Sequence, residues 1–456
     1  MGTRAKVAVC GAGIAGISLA YHLAVSHGTK DVLLVDERPP LSLTSDKSTE
    51  CYRNWWPGPG NAMVAFMNRS IDLLEQLANQ TGNVFHLNRR GYLYLTADPE
   101  KKFEIEKDAL HVSALGGGPL RIHRGRPGDP VYQPPDGDAY SGQLTGADLF
   151  LEPTLIRQHF PYLSKKTVAG LHVRRAGWFS AQQLGMYLLE QARNRGVRMI
   201  QARIDSVRVL SGKANAIHLD SGDTIECQHF VNAAGPYLKQ VGEMLGVDIP
   251  VFSELHLKVA FKDHLGILPR DAPLLIWTDP QQLEWDPEEQ EFLSTDPGSR
   301  WLLAEFPPGV HTRPEGPPGS PMILMLWEYH TGKVEPVFPP PLDASYPEIA
   351  LRGLTKMIPG LRNYFGRAPR PIIDGGYYTK TRENRPLIGP LPIEGGWVIG
   401  ALSGYGLMGA LAAGELLAAH IAGTKLPAYA SAFGLERYQD PAYLKLMERW
   451  GDSGQL

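Results

Sequence analysis

Cysteine is scarce in this chain: Cys10, Cys51 and Cys227 are the three among 456 residues. None forms a Cys-x-x-Cys pair or falls at metal-ligand spacing with histidine, which excludes a disulfide framework and a structural zinc site and points to reduced thiols. No block of one charge occurs either. The 45 basic and 48 acidic residues are spread evenly, for a formal net charge of -3, so no field draws the protein to nucleic acid or an anionic membrane surface. The opening Met1-Gly2-Thr3-Arg4-Ala5-Lys6 runs straight into a strand, without a charged leader and apolar signal core; a cytoplasmic setting is expected. The most apolar stretch, Trp397 to Ile421, is interrupted by Ser403, Tyr405, Glu415, His420 and several glycines, so no membrane span is expected. With repeats and low-complexity tracts also absent, the composition is ordinary globular material, 43% hydrophobic and 20% charged. The chain is long enough for two cores and suited to small-molecule chemistry.

Glycine, by contrast, is placed with purpose at both ends. Val7-Ala8-Val9-Cys10-Gly11-Ala12-Gly13-Ile14-Ala15-Gly16 and Gly400-Ala401-Leu402-Ser403-Gly404-Tyr405-Gly406-Leu407-Met408-Gly409 lie about 390 residues apart. In the first, a β-branched run predicts a buried parallel strand, and Ile14, Ile17, Leu19, Ala20 and Leu23 predict a helix ending near Gly28. Gly11 permits a tight turn, Gly13 lets backbone approach a pyrophosphate, and Gly16 lets helix pack on strand. The helix start, with Ile14 and Ala15, would present free amides to the phosphates. A second strand, Asp31 to Val35, leads to Asp36-Glu37-Arg38, and Asp36 stands 20 residues beyond Gly16. An acid there accepts hydrogen bonds from an adenosine ribose with a free 2′-hydroxyl, favouring FAD or NAD over NADP.

Further along, Ser42 to Gly60 is irregular, rich in hydroxyls and carries Trp55 and Trp56, and so reads as an ordered functional loop. Helices are predicted over 61–80 and 177–196. The stretch 81–164 reads as a strand, Gly91 to Thr96, followed by a loop-rich excursion, and 206–225 as a hairpin broken at Ser221-Gly222-Asp223. Phe230 to Tyr237 is a strand stopped by a small-residue turn. From Val251 to Pro369 the pattern is β-rich, and the end returns to strand, glycine loop and helix.

These segments together resemble the FAD-dependent amine and amino-acid oxidoreductases of the D-amino-acid oxidase family, in particular its sarcosine oxidase, dimethylglycine dehydrogenase and glycine oxidase branch. The resemblance covers essentially the whole chain. It rests on the N-terminal fingerprint, on Val231-Asn232-Ala233-Ala234-Gly235-Pro236-Tyr237, on Asn384-Arg385-Pro386-Leu387-Ile388-Gly389-Pro390 and on Ser403-Gly404-Tyr405-Gly406-Leu407-Met408. It implies an α/β fold, α+β overall. A Rossmann-like FAD-binding domain, discontinuous over 1–84, 165–250 and 370–440, would join a mostly antiparallel substrate domain over 85–164 and 251–369. Residues 441–456 would form a tail. Gly11, Gly13, Gly16 and Asp36, with Glu37 and Arg38, would hold pyrophosphate and ribose. Ser45, Ser48 and Thr49 would pass beneath the isoalloxazine. Gly404, Tyr405, Gly406, Leu407 and Met408 would offer amides to its O2 and N1 edge, and Ile204, Ala234, Gly235, Tyr237 and Gly376 would complete the site. Amides aimed at the ring stabilise negative charge on it.

Two departures qualify the resemblance. Gly376 occupies the position at which several relatives attach FAD through cysteine, so the cofactor is expected to be non-covalent. Met408 occupies the position of a carboxylate-binding lysine, leaving Arg53 as the carboxylate partner. The implied reaction is hydride transfer from the carbon beside an amine nitrogen to flavin N5, followed by hydrolysis of the imine, with a secondary or tertiary amine or an amino acid as substrate. Oxygen, a quinone or a protein would accept the electrons, and a homo-oligomer is compatible with the sequence. Such chemistry needs a positioned neutral amine more than an acid–base pair. Tyr378 and Tyr405 could orient it. His256 and Lys258 alternate with apolar residues and share one strand face, with Lys258 an oxidase marker if that face meets the flavin. Two other readings stay open: a catalytically quiet FAD-bound assembly protein, and an NAD-linked dehydrogenase using the N-terminal fingerprint alone.

Overall fold

The computed structural model describes residues 4–137, 139–330 and 332–448; Met1 to Thr3 and residues 449–456 of the expected tail lie outside the described residues. Arg4–Cys10 is the centre of an eight-stranded sheet. It runs parallel to Val32–Asp36 on one side and Thr224–Asn232 on the other, with Cys10 opposite both Val35 and Asn232. Arg198–Gln201 extends the sheet beyond Val32–Asp36. On the other side Lys213–Leu219 and Ile204–Leu210 form an antiparallel meander, with a turn at Ser211-Gly212 in addition to the expected break near Ser221. Gly396–Gly400, from the far end of the chain, adds parallel to the end of Thr224–Asn232, so the two halves share one sheet. Valine-rich strands buried on both faces demand helices on both sides. Ile14–Tyr21 and Gly406–Ala422 cover one face in close contact: a Cβ on Gly414 would stand 2.4 Å from Ser18 Oγ. The segment Ser403–Ala422 is long and apolar enough to cross a membrane by composition, but 72% of it is buried inside the protein, as a core helix is.

The second sheet has ten strands. Phe252–Lys262 pairs antiparallel with Met322–Leu326 and Ile372–Lys380, and the sheet continues through His311–Glu315, Leu274–Trp277, Tyr92–Thr96, Ala169–Val173, Ala147–Phe150 and Leu120–His123. Two of these strands, 169–173 and 372–380, come from stretches grouped by sequence with the nucleotide unit. They hydrogen-bond here instead, because their partners' free edges lie in this sheet. The loop-rich reading of 81–164 overlooked the helix Lys101–Val112 and two short strands. That helix buries only Ala109 and Val112, so its sequence carries no apolar stripe.

Alternation splits this sheet into two faces. Val259, Phe261, Leu275, Trp277 and Met325 pack with the helix Tyr346–Leu354 in a core of their own. The opposite face brings Tyr92, Leu171, Leu274 and Ile276 onto the core shared with the first sheet. That face roofs the region between the sheets.

Candidate functional site

At the carboxyl ends of the parallel strands lies a cavity of about 330 Å³, where ligands settle in open α/β sheets. Its floor is the N-terminal turn. Gly11, at φ +114°, has its amide on the Val35 carbonyl, and a Cβ there would sit 2.4 Å from Ala233 O. A Cβ on Gly16 would fall 2.0 Å from Gly11 O. The turn is therefore packed with no room for side chains, and the first helix amide, Ile14, expected to be free, is taken by Ser45 Oγ. Asp36 closes one end: Oδ2 accepts from Ala12 N–H at 2.7 Å and Oδ1 from Arg38 N–H at 2.9 Å. Burial raises its pKa while those amides oppose the rise.

The far end of the chain supplies the other wall, Ile399 to Ser403 and Gly406. Ala401 and Ser403 both hold left-handed backbone, at φ +52° and +47°, which costs non-glycine residues about 1–3 kcal/mol each. The Ser403 hydroxyl is buried without a hydrogen-bond partner and lines the cavity. An orphaned hydroxyl, a strained loop and a helix beginning at Gly406 leave this wall with unused hydrogen-bonding capacity.

Of the expected cofactor residues, Gly11, Gly13, Ile14, Ala15, Asp36, Glu37, Arg38, Ser45, Ile204, Ala234, Gly235, Tyr237 and Gly406 line the cavity. The Ser45 Oγ accepts from the Ile14 amide at 3.0 Å, at the helix start. Ser48 and Thr49 do not line it, because their carbonyls are taken by Lys258 and Arg313. Gly16, Gly376, Gly404, Tyr405, Leu407 and Met408 also fall outside the lining; Leu407 and Met408 turn into the core, and Gly376 faces Thr44 and Lys47. Sequence reasoning overlooked Cys10, the Leu41 to Thr44 stretch, Ala202, Arg203, Gln240, Tyr377, Thr379 and Ser403. The strand-end rule would have found Ala202, Arg203 and Ser403; nothing in the sequence marks Thr379.

None of the five expected catalytic residues lines the cavity: His256, Lys258 and Tyr378 lie on the roof sheet, Arg53 and Tyr405 outside it. One rung of the second sheet runs through Tyr94, Ile276, His311, Leu326, Lys258 and Asp374, which therefore share a face. Lys258 donates to the carbonyls of Ser48 at 3.0 Å and Asp46 at 3.4 Å, and burial lowers its pKa. The adjacent rung carries His256 opposite Gly376. His256 lies between two carboxylates, Nε2 3.1 Å from Glu254 and Nδ1 3.0 Å from Glu328. Burial alone would lower its pKa, but the carboxylates outweigh burial and raise it above 6.5. The ring stacks on Tyr378 at 3.9 Å and 16°. Lys380 completes the group, 3.0 Å from Glu254. Below, buried Arg53 stacks over Trp56 at 4.4 Å and Tyr92 at 5.6 Å, and Trp56 meets the edge of Tyr405 at 5.1 Å. Tyr405 donates to the Asn384 carbonyl at 2.9 Å. All three thiols are held protonated by burial, with Cys10 pushed up to about 12 and Cys227 to about 11. Among the described residues no group of His, Cys, Asp and Glu could hold a metal ion.

Three comparisons bear on this arrangement. The family model described as DAO: FAD dependent oxidoreductase matches residues 6–420. Human mitochondrial dimethylglycine dehydrogenase is 26% identical over 280 residues, 60% of this chain and 28% of that protein. The mouse mitochondrial pyruvate dehydrogenase phosphatase regulatory subunit is 24% identical over 274 residues, 59% of this chain and 27% of that protein. The similarity thus spans under a third of those relatives' length. Among solved structures, L-proline dehydrogenase from P. horikoshii superposes with a TM-score of 0.72 at 18% identity, covering 96% of this chain and 99% of that one. Glycine oxidase from Geobacillus kaustophilus gives 0.71 at 15%, covering 95% and 99%; at such identities the likeness is one of fold.

Proposed function

We propose, since this chain belongs to the FAD dependent oxidoreductase family, that it oxidises a carbon–nitrogen bond of an amine or amino acid, with a secondary or tertiary amine as the favoured substrate. The observation that carries the reading is the meeting of both glycine segments on one cavity that the second sheet reaches through Tyr377 and Thr379. Similarity to dimethylglycine dehydrogenase supports the choice of substrate class.

In this reading the cofactor is held without a covalent link, because Gly376 carries no thiol and the three cysteines stay protonated. Bound FAD would supply a ring that accepts a hydride, and with it the electron pair of the C–H bond on the carbon beside the nitrogen. The chain does the rest. Residues 11–16 and Asp36 would hold the dinucleotide, and the amides at the start of Gly406–Ala422, with Ser403, would favour negative charge on the ring. Tyr378, fixed by its stack on His256, and Tyr405, fixed by Asn384, would orient the amine, Arg53 would take a substrate carboxylate, and their packing would exclude water.

The test is anaerobic mixing of the yellow protein with a broad amine and amino-acid panel, followed by readmission of air. Bleaching by at least one amine is expected; fast recovery in air identifies an oxidase, and slow recovery a dehydrogenase serving a quinone or a protein. Failure of the whole panel to bleach would favour a second reading, a quiet FAD-bound subunit, which similarity to the phosphatase regulatory subunit supports. A purified protein without flavin colour would return attention to an NAD-linked dehydrogenase.

A further inference from the structure

Between Lys333–Val334, which pairs with Ser253 and Glu254, and the helix that begins at Tyr346, the chain passes along one flank of the cofactor cavity. Four of the eight residues in 335–342 are proline, and among the described residues this span makes no backbone–backbone hydrogen bond. Side chains hold it instead. Val337 and Leu342 stand exposed, while the Phe338 ring packs on Tyr377 at 5.3 Å and 74° and on Tyr237 at 5.9 Å, with the Arg38 guanidinium 5.2 Å from its centre. The Tyr377 hydroxyl accepts from the Val337 amide at 3.0 Å and donates to the Val337 carbonyl at 2.9 Å. Arg38, Tyr237 and Tyr377 all line the cavity, and they come from three places: the end of Val32–Asp36, the turn after Thr224–Asn232, and Ile372–Lys380 of the second sheet. Phe338 stands behind this lining rather than in it. One ring thus ties both sheets together at a flank where the side chains of Arg38 and Glu37 reach solvent, 37% and 41% accessible.

A span without ladder hydrogen bonds opens by giving up a few side-chain contacts, at far less cost than a strand. We propose that residues 335–342 form a strap across this flank, latched by Phe338 and by the Tyr377 hydroxyl, and that FAD enters and leaves the cavity when the strap lifts. The role concerns how the cofactor is kept and stands apart from the choice of substrate. A gate has a kinetic signature that a binding contact lacks. Weakening a latch that does not touch FAD raises the open fraction equally with and without the cofactor, so entry and exit quicken by the same factor and Kd stays the same. Loss of a contact with FAD itself quickens exit alone.

The experiment measures both rates in wild type, Phe338→Ala and Tyr377→Phe. Exit is read from the rise of flavin fluorescence when loaded protein is diluted, and entry from the quenching of FAD fluorescence by protein stripped of its cofactor. In Phe338→Ala both rates should rise about tenfold, since the latch loses two aromatic contacts and one guanidinium contact. Tyr377→Phe keeps the ring in the cavity wall and removes only the hydroxyl that holds Val337; both rates should rise several-fold. In each variant the ratio of the two rates, and hence Kd, should match wild type. Unchanged rates, or a change in exit without an equal change in entry, overturn the proposal. Should Phe338→Ala fail to fold, Tyr377→Phe decides by the same criterion. Because neither rate involves an amine, the result stands whether or not any amine bleaches the flavin.

Discussion

Gly16 tolerates no methyl group, because the nearest atom to an added Cβ is a backbone oxygen 2.0 Å away and backbone cannot swing aside as a side-chain tip can. Gly16→Ala should therefore cost about 3 kcal/mol by overpacking and displace the turn that faces the phosphates. Gel-filtered protein should lose most of its yellow absorbance, and the melting midpoint should fall even without cofactor. His256 makes a different kind of prediction. Its folded pKa is raised above 6.5, so its contribution is complete below pH 6.5 and drains away as pH climbs through the folded value. Glu254 and Glu328 have folded pKa values below 4.5, so theirs is complete above pH 4.5 and is lost in acid. The group, which includes Lys380 and lies near His311, should stabilise most between about pH 4.5 and 6.5. His256→Gln should narrow its Tm gap to wild type as pH rises from 6 toward 9; a gap that stays constant would show that the charge on the ring does not stabilise the roof.

At the scale of elements, the closeness of two helices sets the thickness of the nucleotide unit. Gly414 lets Gly406–Ala422 lie against Ile14–Tyr21, and Gly414→Leu should push them apart. A loss of roughly 3 kcal/mol or more is expected by denaturant unfolding. The start of the longer helix moves with the rest, so FAD affinity should fall in the same variant, whereas an exposed helix substitution such as Met186→Ala should leave both unchanged. Elements of this kind were legible in sequence because their signals are local. The β-branched run before Gly11, the spacing of Ile14 to Leu23, and Asp36 at the end of a strand each declare themselves within a few residues. Arg313, Glu328 and Ser403 did not, since what defines them is a partner or a vacant hydrogen bond set by chain far away. Arg313 meets Thr49 across 264 residues, and nothing near position 313 foretells it. The strands 169–173 and 372–380 escaped correct grouping for the same reason: strand patterning says that a segment pairs but not with which edge.

Across the whole molecule, the loop from Asp46 to Glu50 is the shared surface of the two sheets. Lys258 and Arg313 descend from the roof and hold its carbonyls, and the Glu50 carboxylate takes the Ala181 amide at 2.8 Å from the nucleotide side. Removing one anchor without leaving a buried charge, as in Lys258→Met, should loosen the loop beside Ser45 and quicken FAD release. Cofactor loss on dilution, followed by flavin fluorescence, should speed up several-fold while the secondary structure is retained. Binding also feeds back on folding: FAD at 100 times its Kd adds about 2.7 kcal/mol to stability. The apo protein should melt lower than the loaded one, and the gap should shrink in Lys258→Met.

One cavity walled by residues 11–16 and by residues 399–406 also imposes an order in time. A growing chain emerging amino end first exposes the phosphate turn long before its opposite wall exists. At ~5–20 residues per second, tens of seconds separate the two. From its own emergence until Gly396–Gly400 follows, Thr224–Asn232 lacks that neighbour, and an unfilled sheet edge stands open to wrong partners. Assembly of the nucleotide unit is thus a late, long-range event. Chains released early should be caught by chaperones rather than by cofactor, and a fragment ending before Gly396 should be insoluble however much FAD is supplied.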